Sequence, residues 1–468
     1  YDTGFLYSFT AVFVIAIYQL VKPKMKGKYY KLKESLSFCI FIQIGMLPLI
    51  IYFQYEAPAF SFLANVAAVP LATCAFTLAF LLIFLPYTVF HEAISWMIQG
   101  VLWISRQSYG MLTIGHVPFL WVLLFYFMTG LWIWKKNGQN RHIRISLAYV
   151  IMIILIWIPM ARRKSLAFLD VGQGDCFVAD TKSGAIIFDG GSSSEDQVGR
   201  YRILPYMKYL GYQKIQIAVI SHMDIDHYSG IKELLEMGKI KYLGLPEIPK
   251  DETMKKIIGI AKKRGTTIFY LSRGRQITTK DGSLKVLHPQ KNSQMEKNAA
   301  SLVMQGKILG YRVLLTGDVE KEGEEELLSE ELERADILKA AHHGSKNSTS
   351  NEFLQKVQPK QTVISCGKQN RYGHPHLETI HRLQTYHTKI YRTDRSGAII
   401  FSKEEMVENL QKKRYTIKSY RKRCKEYEEN IRRYQDKYIR TFLSILRGRK
   451  IYDLPDEKPV KKSISFRR

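Results

Sequence analysis

Ile217-Ala218-Val219-Ile220-Ser221-His222-Met223-Asp224-Ile225-Asp226-His227 is the stretch on which the reading of this chain turns. Its apolar start has the pattern of a buried strand. The polar end places four potential ligands, His222, Asp224, Asp226 and His227, within six residues. If the segment stays extended, His222 and Asp224 project the same way, while Asp226 and His227 turn to a neighbouring position. Histidines and carboxylates packed this tightly repel or waste burial unless a cation holds them. A solvated polar turn is the bland alternative.

Other strand-like runs end in the same kind of chemistry. Phe168-Leu169-Asp170-Val171-Gly172-Gln173-Gly174-Asp175 is a strand entering a glycine turn, and Ala185-Ile186-Ile187-Phe188 ends in Asp189-Gly190-Gly191. Alone, each reads equally as a hairpin with acidic punctuation. Val313-Leu314-Leu315-Thr316-Gly317-Asp318 delivers another acid, and a carboxylate with two oxygens can bridge two metal ions. Ile337-Leu338-Lys339-Ala340-Ala341 then ends in His342-His343-Gly344-Ser345. A helical stretch over residues 320–332 separates these last two strands, as a layered α/β architecture requires.

The first third of the chain differs in kind. The near-zero average hydropathy conceals a part dominated by long apolar runs up to about residue 160. With roughly 20 apolar residues needed to cross a bilayer, residues 4–21 and 36–53 qualify, and 119–134 and 146–160 are slightly short. Residues 60–85 exceed one span and contain Asn65 and Pro70. That pattern predicts either a broken or re-entrant pair lining a cavity or one long kinked helix. Residues 91–105 suit a helix lying in the interface.

Basic loops at 22–33 and 135–144 mark the cytoplasmic side and place the part after residue 160 outside the cytoplasm, with Arg162, Arg163 and Lys164 arguing weakly against this. The chain starts at Tyr1 rather than Met and reads as a fragment lacking an N-terminal portion. No signal peptide pattern opens it. Five scattered cysteines without CxxC spacing indicate neither a disulfide framework nor a thiolate metal site. The net charge of +27 favours polyanions, in part through lysines and arginines beside membrane helices.

The order His-x-Asp-x-Asp-His, then Asp, then His at successive strand ends resembles the metallo-β-lactamase superfamily, an αββα sandwich with a metal pair at one edge. Its central motif more usually reads His-x-His-x-Asp-His. Here Asp224 replaces the second His, and no third His is evident before Asp318 except His288 in an ordinary strand-end context. The oxygen-rich set leans toward Mn²⁺ or Mg²⁺ over Zn²⁺. The same motifs, with Tyr372-Gly373-His374-Pro375, Tyr391-Arg392-Thr393-Asp394, and in the membrane part Asp2-Thr3-Gly4-Phe5 and Leu63-Ala64-Asn65 with Val69-Pro70-Leu71, resemble the ComEC-type DNA-internalisation channels of competent bacteria.

That resemblance implies a multi-pass cell-membrane protein whose hydrolase domain degrades one DNA strand while the membrane domain passes the other. Residues 1–160 form the polytopic part, 161–418 the hydrolase, and 419–468 a basic, helical tail. Two divalent ions are expected, one with His222, Asp224 and Asp318, the other with Asp226, His227, Asp318 and His343, activating a water for in-line displacement. Asp189 holds the metal loop by hydrogen bonds. His374 stabilises the phosphate or protonates the leaving oxygen, although Gly-His-Pro also makes a good turn. Asp175, Asn298, Ser345 and Lys346 are candidates for contact with DNA. Expected partners are single-stranded DNA, membrane lipid, other uptake machinery and a second copy in a homodimer. The rivals are a transport component whose hydrolase fold no longer cuts and an envelope phosphodiesterase acting on small phosphate esters.

Overall fold

The computed structural model describes residues 3–22, 26–82, 84, 88–105, 110–134, 164–295, 298–402 and 408–409. The expected span at 146–160, the basic loop at 135–144 and the tail at 419–468 lie outside the described residues. The chain divides into two units, Tyr1–Arg414 and Tyr415–Arg468.

Helices α1 (Thr3–Val21), α2 (Tyr30–Gln54), α3 (Ser61–Leu81), α4 (Thr88–Ser105) and α5 (Phe119–Trp134) make up the first part. The first three are long and apolar enough to cross a membrane. Their surfaces carry exposed Phe9, Val12, Phe13, Leu20 and Phe76, an outward apolar face that suits lipid rather than water. Two short strands, β1 (Glu56–Pro58) and β2 (Met111–Thr113), pair antiparallel and tie the loop after α2 to the segment before α5.

Of the two arrangements open for residues 60–85, the single helix forms and the re-entrant pair does not. α3 runs through Pro70 as one helix to Leu81. A single missing donor does not end a helix whose other backbone groups have no alternative partner in an apolar setting. Its start is fixed instead by Gln43 of α2. The Gln43 Oε1 accepts from Ser61 Oγ and from the Phe62 amide, both at 2.8 Å, and its Nε2 donates to Pro58 O at 2.6 Å.

From Lys164 onward the chain builds two sheets. The first joins β3 (Ser165–Phe168), β4 (Phe177–Thr181), β5 (Gly184–Phe188), β6 (Ile215–Val219), β7 (Ile240–Pro246) and β8 (Thr267–Leu271). The second joins β9 (Gln276–Thr279), β10 (Gly282–His288), β11 (Val303–Ile308), β12 (Tyr311–Leu315), β13 (Ile337–Lys339), β14 (Gln361–Ile364) and β15 (Lys389–Arg392). The late strands β16 (Ile399–Ser402) and β17 (Glu408–Asn409) return to the first sheet, so its order is β17-β16-β3-β4-β5-β6-β7-β8, against β15-β14-β13-β12-β11-β10-β9 in the second.

One core lies between the sheets, with Leu166, Phe168 and Phe188 from the first meeting Val286, Met304 and Leu315 from the second. A second core, with Phe353, Leu354 and Leu383, covers the outer face of the second sheet with helices. Each such large side chain contributes about 1.5–3 kcal/mol of burial. Because β5 to β8 are mutually parallel, as are β12 to β15, their C-terminal ends share one edge of each sheet. The expected αββα sandwich is the fold observed.

The longer helices that accompany the sheets are α6 (Leu204–Tyr209), α7 (Ile225–Glu236), α8 (Glu252–Lys263), α9 (Lys321–Leu328), α10 (Asn351–Val357) and α11 (Leu377–Thr385). The α7 helix buries His227, Ile231, Leu234 and Leu235, a helical stripe that seats it on the first sheet. At α6 the two-sheet part meets the helical part. Lys208 pairs with Glu56 at 2.6 Å, the His116 amide donates to Tyr209 O at 2.9 Å, and the Tyr55 and Tyr209 rings lie 5.5 Å apart.

Candidate metal centre

After β6 the chain stays extended through Asp224 (φ −99°, ψ 148°) and then enters α7. Asp224 therefore caps the helix by position, and the His227 amide donates to Asp224 O at 2.9 Å. Asp226 and His227 fall on the first turn, which turns them away from the His222–Asp224 pair. The latter two face each other at 3.6 Å between His222 Nε2 and Asp224 Oδ2.

Two glycines let neighbouring loops close onto this turn. A Cβ on Gly191 would stand 2.5 Å from Asp226 C and His227 N, and one on Gly174 (φ +152°) would collide with Gly191 O and Asp226 O. Without those side chains the Asp175 amide reaches Asp226 O at 3.0 Å and the Gly190 amide reaches His227 O at 2.8 Å. Asp189, in the left-handed region at φ 58°, grips the loop from beneath. Its Oδ1 accepts from the Ser221 amide at 2.7 Å, and its Oδ2 lies 3.0 Å from His227 Nδ1. A carboxylate on Nδ1 puts the proton there and turns Nε2 outward as a free donor atom.

The second sheet supplies the rest. Asp318, one turn past β12, has Oδ2 3.2 Å from His227 Nε2 and 3.3 Å from His343 Nε2. His343 follows β13 in a turn where His342 (φ 45°) and His343 (φ 53°) are both left-handed, a conformation costing roughly 1–2 kcal/mol per residue. The turn aims His343 inward: Nδ1 donates to Ser365 O at 2.9 Å, and Nε2 lies 3.4 Å from Asp226 Oδ2. His342 lies nearer the rim, with Nδ1 2.9 Å from Glu320 Oε1 and Nε2 3.8 Å from Asp318 Oδ2.

His227, Asp318 and His343 are thus brought together, with Asp226 Oδ2 beside His343 Nε2. Asp175, His227, Asp318 and His343 also offer donor atoms within 4.8 Å of one another. Asp226 faces the same nitrogen of His343 that meets Asp318. Asp175 approaches the histidines from behind, 3.6 Å from His343 Nδ1 and 3.8 Å from His227 Nδ1, and is engaged by an ammonium group. That ammonium is Lys339, the last residue of β13, 4% exposed. Its Nζ pairs with Asp175, donates to Gly317 O at 2.9 Å and lies 3.5 Å from Asp318 Oδ1. Sequence reasoning missed it, although a lone Lys closing an apolar strand just before the double His was the available signal.

A cation fits here. The Nε2 atoms of His222, His227 and His343 are buried and lack a hydrogen-bond partner among the described residues. The charges tell the same story. Burial opposes a proton on His343, but Asp318 and Asp175 outweigh it and lift its pKa to about 10. Burial likewise disfavours charge on His227, yet Asp318 and Asp189 hold it well above the usual range. Burial works against ionised Asp226, and His343 and His227 nevertheless bring it down to about 2. The carboxylates demand positive charge, and protons on the histidines provide it where no metal does.

The remaining candidates sit further out. The His374 ring is 6.1 Å from that of His343 and 5.4 Å from that of His342. Burial and those two neighbours push its pKa down to about 4. Asn298 donates to Glu320 Oε1 at 3.3 Å, which puts it beside His342 rather than among the donors. The Ser345 hydroxyl accepts from the Asn347 amide at 3.3 Å and shapes its own turn. Lys346 lines an open polar cleft with Lys321 and Arg382. Ser301, next to Asn298, is the inner residue: its Oγ lies 3.2 Å from His222 Nδ1. His288 is structural, 2.7 Å from Ala299 O.

Comparison with known families agrees with this geometry. Residues 169–368 match the metallo-β-lactamase superfamily, and residues 1–139 match the family described as competence protein. The chain joins a competence domain to a metallo-β-lactamase domain. It is 30% identical over 433 residues to ComE operon protein 3 of Bacillus subtilis, covering 85% of this chain and 55% of that protein. To competence protein ComA of Neisseria gonorrhoeae it is 30% identical over 242 residues, 50% of this chain and 31% of that one. Among solved structures it is similar to the metallo-β-lactamase fold protein YhfI from Bacillus subtilis, with a TM-score of 0.37, 13% identity and coverage of 51% of this chain and 99% of that one. The chain thus spans about half, or less, of the curated relatives named.

Within the metallo-β-lactamase domain, Asp318 faces two ways. Its Oδ2 meets the two histidines and its Oδ1 faces Lys339, so a fixed ammonium stands beside the place for a divalent ion. The competence domain supplies the apolar helices that suit insertion in a membrane.

Proposed function

We propose that this chain serves DNA uptake across the cytoplasmic membrane, its competence domain passing one strand while the metallo-β-lactamase domain hydrolyses phosphodiester bonds of the other. The convergence of Asp226, His227, Asp318 and His343 at a strand edge carries this reading. The membrane helices and the relatives named for competence support the setting.

One divalent ion is assigned to Asp226, His227, Asp318 and His343, and a second to His222 and Asp224 beside Asp318. Carboxylates make up half of the first set and two of the three residues of the second, which favours Mn²⁺ or Mg²⁺ over Zn²⁺. When bound, such ions activate water and neutralise charge on the phosphate. The chain's own residues orient and insulate: Asp189 and Ser365 O fix the two imidazoles, and Lys339 balances Asp175 and Asp318. His374, neutral near pH 7 with its pKa at about 4, is placed to hydrogen-bond a phosphate oxygen. The domain is assigned to the outer side of the membrane, with other uptake proteins as partners.

The test is cleavage of single-stranded DNA by the purified full chain with Mn²⁺, Mg²⁺ or Zn²⁺, beside Asp226→Ala. Metal-dependent cleavage that the substitution abolishes is expected. A folded, metal-loaded protein that cuts with none of the three ions refutes the nuclease and leaves a transport component that does not cut.

A further inference from the structure

Among the described residues of the metallo-β-lactamase domain, large hydrophobic side chains are exposed at three places: Ile225, Tyr372 and Leu377. Ile225 and Leu377 open helices α7 and α11 next to the site, and Tyr372 lies on the loop before α11. Ile225 sits between Asp224 and Asp226, and Tyr372 and Leu377 flank His374 and His376.

Tyr372 is not a loose side chain. Asn370 Oδ1 accepts from the Tyr372 amide at 3.2 Å and the His374 amide at 3.0 Å, while its Nδ2 donates to Gly367 O at 3.0 Å and His374 O at 2.6 Å. On this frame the Tyr372 ring lies nearly parallel to that of His374, 22° apart with centroids at 5.7 Å. Arg371 donates to the Tyr372 hydroxyl at 2.6 Å, and its guanidinium is 4.8 Å from the ring centre. Tyr372 thus stacks on His374, whose ring lies 6.1 Å from that of His343 at a tilt of 32°, with the Arg371 guanidinium at the hydroxyl end of Tyr372. Held this firmly, Tyr372 still leaves 43% of its surface exposed, which a ligand can cover.

We propose that Tyr372, backed by His374 and flanked by Arg371, is a stacking subsite for a base of single-stranded nucleic acid whose phosphate lies at the metal donors. The proposal rests on the nucleic-acid reading above. Every base presents a π face, and aromatic or guanidinium planes bind it without reading sequence. Ile225 and Leu377 give the same rim an apolar surface for sugars and neighbouring bases. The chain's net charge of +27 suits the polyanion.

The experiment compares two fluorescent oligonucleotides of equal length, one deoxyadenylate and one abasic, binding to the full chain in detergent with EDTA present to prevent cutting. The intact chain should bind the base-bearing strand more tightly. Tyr372→Ala should weaken that binding by about 5- to 100-fold and leave the abasic strand unaffected, while Tyr372→Phe keeps the preference. Equal affinity for the two strands, or equal loss on both in Tyr372→Ala, overturns the subsite while leaving nucleic-acid binding intact. Binding of neither strand overturns the nucleic-acid reading itself, and the subsite with it.

Discussion

Replacing Lys339 with Met removes the ammonium and keeps the length and apolar stem of the side chain. The structure sets the size of the effect. Lys339 is 4% exposed, and its charge faces Asp175 and Asp318, themselves 4% and 3% exposed. Burial works against the Lys339 charge, but Asp175 and Asp318 prevail and keep its pKa raised. Removing one partner from such a buried set costs about 3–5 kcal/mol. For a part of this size each kcal/mol moves the melting midpoint by about 2–4 °C, so Lys339→Met should melt about 6–20 °C lower in EDTA. With saturating Mn²⁺ the deficit should shrink, because the ion adds positive charge beside the same Asp318. Buried Cys176 and Cys366 provide the reporter: with Cys39, Cys74 and Cys424 replaced, a thiol-reactive dye follows unfolding of this part alone. Equal midpoints for Lys339→Met and the parent in EDTA would refute the charge-balancing role.

Asp189→Asn should leave the fold in place, since Asn accepts a left-handed backbone, and lower Mn²⁺ affinity about 10- to 100-fold by calorimetry. Gly191→Ala should press its methyl group onto the Asp226–His227 peptide, lowering stability by about 1–3 kcal/mol in the thiol assay. An unchanged midpoint would show that the loops are not in close contact. Metal binding should release protons. With its pKa lifted to about 10, His343 is protonated at pH 7 in the metal-free protein, and a cation needs its free Nε2. Mn²⁺ affinity should therefore climb with pH from 7 toward 10. Titrations in buffers of different ionisation enthalpy, all giving the same heat, would contradict this.

What the sequence discloses follows from how far apart the interacting groups lie along it. His222 to His227 occupy a single loop, so their crowding alone points to a cation. Asp318 and His343 are legible because each closes an apolar strand, and parallel strands deliver their ends to one edge. Lys339 closes a strand too, but its meaning depends on Asp175 arriving from the other sheet, a contact that the narrow passage between Gly174 and Gly191 makes possible. The sequence therefore offers Asp175 as a DNA contact and does not disclose its pairing with the Lys339 ammonium. At Pro70 the sequence leaves a broken pair and one kinked helix equally open, for the opposite reason. The choice between them rests on the backbone hydrogen bonds that the rest of α3 keeps, and on Gln43, an anchoring group on another helix.

The paired left-handed residues at His342 and His343 also constrain how this site can change over generations. Valine, isoleucine and threonine resist that backbone, whereas glycine, asparagine and aspartate tolerate it. A descendant that gives up its metal should therefore pass through Asn or Gly at these two positions, long before the surrounding sandwich changes. Such a pair in place of the histidines would mark a domain kept for its shape after its chemistry had gone.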